Sequence, residues 1–451
     1  MSDNNLLELA SDVVRMAVRA GASDAECTVA EGDEFSARIR MREIESLKEA
    51  GSRGAGLRIL AGKCSGSAYT SDLSPQGIRK MVDSAVELAK ITTEDPYAGL
   101  PDPSELGSLA ADLALYSCDV AELPAPQRIE LARRTEAAAF DTDPRIVNSE
   151  GASFDSHTGL HVFANSREFA GEYRNSYCSL NTVPVAKEGD SMERDYWFSV
   201  SRSAGKLESP EQVGLTAARR ALRRLGARKV DTQRVPVIFE ARVARSLLGN
   251  IFEAVHGESV YRHASFLAGR LGERVASEAV TVIDDGTLPG LFGTSPFDDE
   301  GVPSRRTVVI EKGVLQSYLL NTYTARKLGM VTTGNASRGL SGNPGIGHGN
   351  LFLEKGATSP GELLKSVSDG FYVTELLGFG VNIVTGDYSR GATGLWIRGG
   401  ELAFPVSEVT IAGNLNQMLL DLEGVGSDLE FLSATAAPTI LIREMTISGQ
   451  G

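Results

Sequence analysis

Beyond Val280 the chain is written in short apolar runs cut by glycine: Val280 to Ile283, Thr307 to Ile310, Val314 to Leu319, Tyr372 to Leu377, Gly394 to Ile397, Glu408 to Ala412 and Thr439 to Ile442. Such runs, bounded by turn formers, are too short for helices and too regular for disorder. They imply a β-rich domain with few helices. Val235 to Glu240 reads as its first strand and Arg242 to about His256 as a helix, which places the domain at 235–451.

A chain of 451 residues exceeds the roughly 250–300 at which a single hydrophobic core stops growing, so further domains precede it. Leu6, Val13, Val14 and Ala17, punctuated by Glu8, Asp12 and Arg15, read as an amphipathic helix ending at Gly21. Strand-like runs follow at Cys27 to Ala30, Phe35 to Met41, Gly56 to Leu60 and Gly66 to Tyr69. Ser74-Pro75 is an N-cap and first-turn pair that opens another helix. This first unit is placed at 1–115. Prolines accumulate from Thr92 to Pro126 as in a connector. A second unit, 122–230, runs from a helix (Gln127 to Phe140) through strands at 145–156, 160–165, 172–185 and 195–201 to an Arg-rich helix, Pro210 to Leu225. The fold class is α+β: N-terminal units with antiparallel sheets, then a β-rich C-terminal domain.

The net charge of −14 repels phosphate, which disfavours direct nucleic-acid binding. The strongest basic run, Arg219, Arg220, Arg223, Arg224, Arg228 and Lys229, is expected to be a solvated helix end. Four scattered cysteines, Cys27, Cys64, Cys118 and Cys178, form no C-x-x-C pair, so a reducing, cytoplasmic setting without a cysteine zinc site is expected. No apolar run approaches the ~18 residues of a membrane span.

Five histidines restrict metal and acid–base chemistry. His157 and His161 fall where strand and turn are expected, and there a four-residue spacing carries little meaning. Glu253 and His256 share a helix face, but they are two donors, and His263 lies about 10.5 Å further along a straight helix. There is no H-E-x-x-H, no G-x-S-x-G and no P-loop. The glycine-rich stretch from Gly339 to Gly349, like Gly51, Gly54 and Gly56, is read as turns or mobile loop, the longer one able to cover a cleft. Two polar clusters, 295–301 and 385–391, suit either a binding groove or Asx-type turns.

These segments, taken together, resemble the TldD/PmbA family, and within it the PmbA (TldE) branch. The resemblance spans nearly the whole chain. It rests on Ser295-Pro-Phe-Asp-Asp-Glu-Gly301, Leu320-Asn-Thr-Tyr-Thr-Ala-Arg-Lys-Leu-Gly329, Val373-Thr-Glu-Leu-Leu-Gly-Phe-Gly380, Thr385-Gly-Asp-Tyr-Ser-Arg-Gly391 and Pro405-Val-Ser-Glu-Val-Thr-Ile-Ala-Gly-Asn414. It implies a cytoplasmic zinc metalloprotease of two related subunits that acts on unfolded peptides and in leader-peptide processing. In that family only the TldD-type subunit carries zinc, on H-E-x-x-x-H and a C-terminal cysteine. Here Phe252 stands at the first histidine, Glu253 is kept, His256 comes one residue early, and no cysteine follows Cys178.

The resemblance therefore implies no catalytic residue and no cofactor in this chain, with zinc in a TldD-type partner and Glu253 and His256 as degenerate metal candidates. Asp387, Tyr388 and Arg390 are the candidate substrate-binding residues, and a homodimer stays open as one form of the chain without the partner. Two alternatives stay open: a free-standing metallopeptidase using Glu253 and His256 with Glu258 or His263, and a protein-binding modulator of DNA gyrase, the family's older description.

Overall fold

Two long β-hairpins in tandem build the N-terminal half, in a computed structural model that describes residues 5–449. Helix α1 (Leu6–Arg19) begins where the Asn5 side chain accepts the Glu8 amide at 3.2 Å, and it buries Leu6, Ala10, Val13, Val14 and Ala17 along one stripe. Strands β1 (Asp24–Arg40), β2 (Glu43–Ala61) and β3 (Cys64–Thr70) follow, then α2 (Pro75–Ile91), capped by the Ser74 hydroxyl on the Gly77 amide. The chain continues through α3 (Cys118–Glu122), α4 (Ala125–Phe140), β4 (Ile146–Asn165), β5 (Ala170–Glu188), β6 (Ser191–Arg194), β7 (Trp197–Ser201) and α5 (Pro210–Leu222).

β1 pairs with both β2 and β4, so segments read from sequence as two units share one seven-stranded antiparallel sheet, in the order β3-β2-β1-β4-β5-β6 with β7 also on β5. Several elements are longer than their sequence signals. His157-Thr158-Gly159 suggests a break, yet β4 runs straight through it, held by β1 on one side and β5 on the other. The turn joining β1 to β2 is Met41-Arg42, both at positive φ (50° and 71°) without a glycine. Both amides donate to the fully buried Glu136 carboxylate of α4, at 3.0 and 2.7 Å, which offsets the left-handed strain.

Period-two alternation gives the sheet two different faces. Ala25, Cys27, Val29, Phe35, Ala37 and Ile39 point one way, covered by α1 and α2 at one end and by α3, α4 and α5 at the other. Glu26, Thr28 and Arg58 point the other way and are buried against the C-terminal half.

That half begins with β8 (Gln233–Phe239), α6 (Ala241–Val255) and α7 (Gly257–Tyr261). Its remaining strands are β9 (Val282–Asp285), β10 (Arg306–Glu311), β11 (Val314–Leu315), β12 (Ala336–Ser337), β13 (Gly345–Ile346), β14 (Asn350–Leu353), β15 (Asp369–Leu377), β16 (Asp387–Arg398), β17 (Glu401–Asn414), β18 (Leu422–Val425), β19 (Thr435–Ala436) and β20 (Ile440–Gly449). The order β17-β16-β15-β8-β20 closes on itself, because Val409–Ala412 of β17 also pairs with Thr446–Gly449 of β20. A five-stranded sheet, β11-β10-β9-β14-β19, lies beside this ring. The fold is α+β with a β-rich C-terminal region, and no described helix is long and apolar enough to cross a membrane.

Charge holds the two halves together. Glu26 binds Arg58 at 2.8 Å and Arg338 at 2.6 Å, and Arg338 also donates to Thr28 Oγ1 at 2.9 Å. The glycine-rich loop after Arg338 packs on β2 at its start, where a Cβ on Gly56 would sit 1.8 Å from the Leu340 carbonyl oxygen, and its later residues, Asn343 to Gly349, line two cavities at the joint between the halves. The basic run is not a solvated helix end. Arg220 is buried between Glu240 (2.9 Å) and Asp195 (3.3 Å), Arg223 reaches Glu240, and Arg224 spans Glu193 and Glu375. Four acids distant in sequence convert the run into a joint between α5 and the C-terminal half.

Candidate functional site

Helix α6 keeps one face in the core through Val243, Ala244, Leu247, Leu248 and Ile251. Its other face, carrying Arg242, Arg245, Ser246 and Gly249, lines a cleft of about 450 Å³. The opposite wall is Thr374, Glu375 and Leu376 of β15 with Arg390 of β16, and the ends are closed by Tyr196 and by Ser433 and Thr435.

Phe252 stands one turn further along α6, between two imidazoles. Its ring lies 5.4 Å from that of His256 and 4.9 Å from that of His348, edge-on to both. His256 ends the helix, at φ −61° and ψ 122°, and its Nδ1 is buried without a hydrogen-bond partner. His348 joins its Nε2 to the Thr435 hydroxyl at 3.2 Å and its Nδ1 to the Gly349 carbonyl at 2.8 Å. Glu253 is exposed beside them.

This donor set does not suit zinc. A zinc site needs three or four N, S or O ligands converging at about 2 Å, and here an apolar ring occupies the place between the two imidazoles. No cluster of three His, Cys, Asp or Glu side chains able to hold a metal occurs among the described residues. All four cysteines lie in the N-terminal half, where burial pushes the Cys27 and Cys178 thiols up to about 12. Glu258 and His263 do not complete a set with Glu253 and His256.

The structure separates the three substrate-binding candidates. Arg390 lines the cleft. Tyr388 points the same way but is 1% exposed, and burial raises its phenol to about 12. Asp387 is exposed at the first position of β16, where hydrogen bonds from Thr385 Oγ1 (2.7 Å) and Asn414 Nδ2 (3.2 Å) hold its carboxyl below the usual range. The 385–391 cluster is thus turn chemistry at one end and cleft wall at the other.

Across His348 lies a polar cavity of about 210 Å³ at the joint between the halves, lined by Asp284, Asp298, Asn335 and Ser304 among others. Asp284 accepts from Asn335 at 2.7 Å through one oxygen, while the other has no partner. Burial raises this carboxyl to about 6, against the pull of Asn335 and His348. Asp298 is also raised, by burial and by the Glu300 charge, and it accepts the amides of Glu300, Val302 and Ala336 at 2.9 to 3.0 Å. The 295–301 cluster is therefore an Asx-type turn that shapes the joint.

Arg242, Arg245 and His348 carry no motif. Their sequence signal, two arginines three apart on an apolar helix, equally describes a solvated helix face.

Three family models of the PmbA/TldA metallopeptidases match successive parts of the chain: domain 1 at residues 25–89, the central domain at 118–225 and the C-terminal domain at 232–449. The metalloprotease PmbA of Escherichia coli O157:H7 is 40% identical over 95% of this chain and 93% of its own length. A PmbA homologue from Haemophilus influenzae is 38% identical over 99% and 97%. A solved structure from Bacteroides thetaiotaomicron, described as a candidate modulator of DNA gyrase, superposes with a TM-score of 0.92 at 27% identity, covering 100% of both chains. TldE from Thermococcus kodakarensis shares the fold, with a TM-score of 0.88 at 22% identity over 98% of this chain and 100% of its own.

Proposed function

From the premise that this chain belongs to the PmbA/TldE branch of the PmbA/TldD metallopeptidase family, we propose that it is the zinc-free subunit of a two-chain cytoplasmic peptidase. Its partner is a TldD-type subunit that supplies the zinc, and its substrates are unfolded peptides, leader peptides among them. One observation carries the reading: Phe252 fills the space between His256 and His348 with an apolar ring, in a half of the molecule that has no cysteine. The helix that bears the metal motif in the TldD-type chain here contributes a cleft wall.

In this reading the chain binds and orients an extended peptide, and its homologous C-terminal domain pairs with that of the partner to enclose the partner's active cleft. Arg390 is the cleft-lining member of the substrate-binding set, with Asp387 shaping the turn and Tyr388 supporting the wall from within. Binding energy at such a remote surface serves to position the scissile bond elsewhere. A related TldD homologue, from Buchnera aphidicola, is 24% identical over 84% of this chain, as expected of two subunit types with a common ancestor.

The test is zinc content by elemental analysis, on the purified chain alone and mixed with a TldD-type subunit, alongside cleavage of an unfolded peptide. Metal and cleavage only in the mixture are the expected result. One tightly bound zinc with cleavage by the chain alone would replace this reading with the free-standing peptidase.

A further inference from the structure

Three arginines meet in the α6 cleft with no acid paired to them, in a chain whose 59 acidic residues outnumber its 45 basic ones. Arg242 and Arg245 lie on one face of α6, and Arg390 faces them from β16. Among the described residues none of the three has a carboxylate within 4.0 Å. The acid in the cleft, Glu375, is held by Arg224 at 2.7 Å. Glu430 and Glu208 act on Arg242 only from beyond ion-pair distance.

Several donors are held in place and unused, although Arg242 Nη2 makes one long bond to the Phe198 carbonyl at 3.5 Å. The Arg242 guanidinium lies 3.4 Å over the Trp197 ring and 4.6 Å from that of Phe198, while its Nη1 is buried without a partner. Nε of Arg390 and Oγ of Ser246 are also buried and unpartnered. Arg245 makes one long contact, 3.4 Å to Ser433 Oγ. Half-buried cations with empty donors destabilise a fold, and a fixed guanidinium fork matches the geometry of a carboxylate.

We propose that this cleft is a carboxylate-binding site, for the C-terminal carboxylate or an Asp or Glu side chain of a bound peptide. The inference rests on the peptide-handling reading above and specifies which peptides the chain holds. Cation–π contact with Trp197 and Phe198 fixes Arg242 for the anion, Arg390 closes from the opposite wall, and the Ser246 hydroxyl donates to a remaining lone pair.

The test is calorimetric titration of the full chain with unlabelled, N-acetylated decapeptides of Ala and Ser. Three forms are compared: a free C-terminal acid, a C-terminal amide, and an amide with one internal Glu. The acid, the Glu peptide or both should bind at least about tenfold more tightly than the neutral amide. The preference should shrink between 50 and 300 mM salt, as on the order of one Debye length of screening requires, and should vanish in Arg390→Gln and Arg245→Gln chains that melt like wild type. Preference for the acid alone assigns the site to the peptide terminus, and preference for the Glu peptide alone assigns it to a side chain. Equal affinity for charged and neutral peptides overturns the carboxylate site and leaves the peptide reading intact. Binding of none of the three overturns both, whereas the zinc measurement alone decides the partner reading.

Discussion

Phe252→His should give this chain a zinc site. Two imidazoles on one tetrahedral zinc, each bound at 2.0–2.1 Å, have ring centres about 5 Å apart. The Phe252 ring already lies 5.4 Å from His256 and 4.9 Å from His348. The substitution also completes H-E-x-x-H over 252–256, with Glu253 where such motifs carry the general base. Losing a half-buried phenyl costs about 1–2 kcal/mol. Zinc at a hundredfold excess over its dissociation constant returns about 2.7 kcal/mol. The variant should therefore melt below wild type without metal and slightly above it with zinc, and should keep one zinc per chain through desalting. His348→Ala or His256→Ala in the variant background should abolish both effects. A variant that takes up no more zinc than wild type would refute the claim that the Phe252 ring is what keeps His256 and His348 from sharing a metal.

Three further outcomes follow from the joint between the halves. Glu26→Gln removes the ion-pair partner that the buried Arg58 and Arg338 guanidiniums share, so chemical denaturation should show a loss of about 3–5 kcal/mol; a loss under 1 kcal/mol contradicts it. Gly56→Val drives a side chain into the Leu340 carbonyl, so limited proteolysis should cut the 339–349 loop faster than in wild type, at an overpacking cost of about 1–3 kcal/mol. Asp284 is raised from 3.8 to about 6, so the fold disfavours its charged form: the penalty is absent below about pH 4, grows as pH rises to 6 and is full above, at about 3 kcal/mol. Denaturation of wild type and Asp284→Asn at pH 4 and pH 7 should show the variant gaining relative stability at the higher pH, and an unchanged difference would remove Asp284 as the cause.

Local signals were legible wherever one residue fixes its neighbours. The Ser74 cap sits at the start of α2 as read, and the texture of the last 170 residues matches the strands found there. Signals that depend on distant partners were not. The Met41-Arg42 turn violates turn chemistry and is held by Glu136, and the basic run after Pro210 becomes a buried joint only through Asp195, Glu193, Glu240 and Glu375. In the 385–391 cluster, by contrast, the answer was available: period-two alternation already places Asp387 and Tyr388 on opposite faces and Tyr388 and Arg390 on the same one.

The cleft and the joint depend on each other. Trp197, which carries Arg242, belongs to β7 of the N-terminal sheet; its indole N–H donates to Glu208 at 3.2 Å, and its ring also faces Arg220 at 5.5 Å. Arg220 in turn ties Asp195, two residues before Trp197, to Glu240, the residue immediately before α6. One ion-pair network thus fixes both the helix that presents Arg242 and Arg245 and the aromatic surface that orients Arg242. A cleft wall drawn from both halves has the right geometry only when they are docked, which explains why so much buried charge is spent at their boundary.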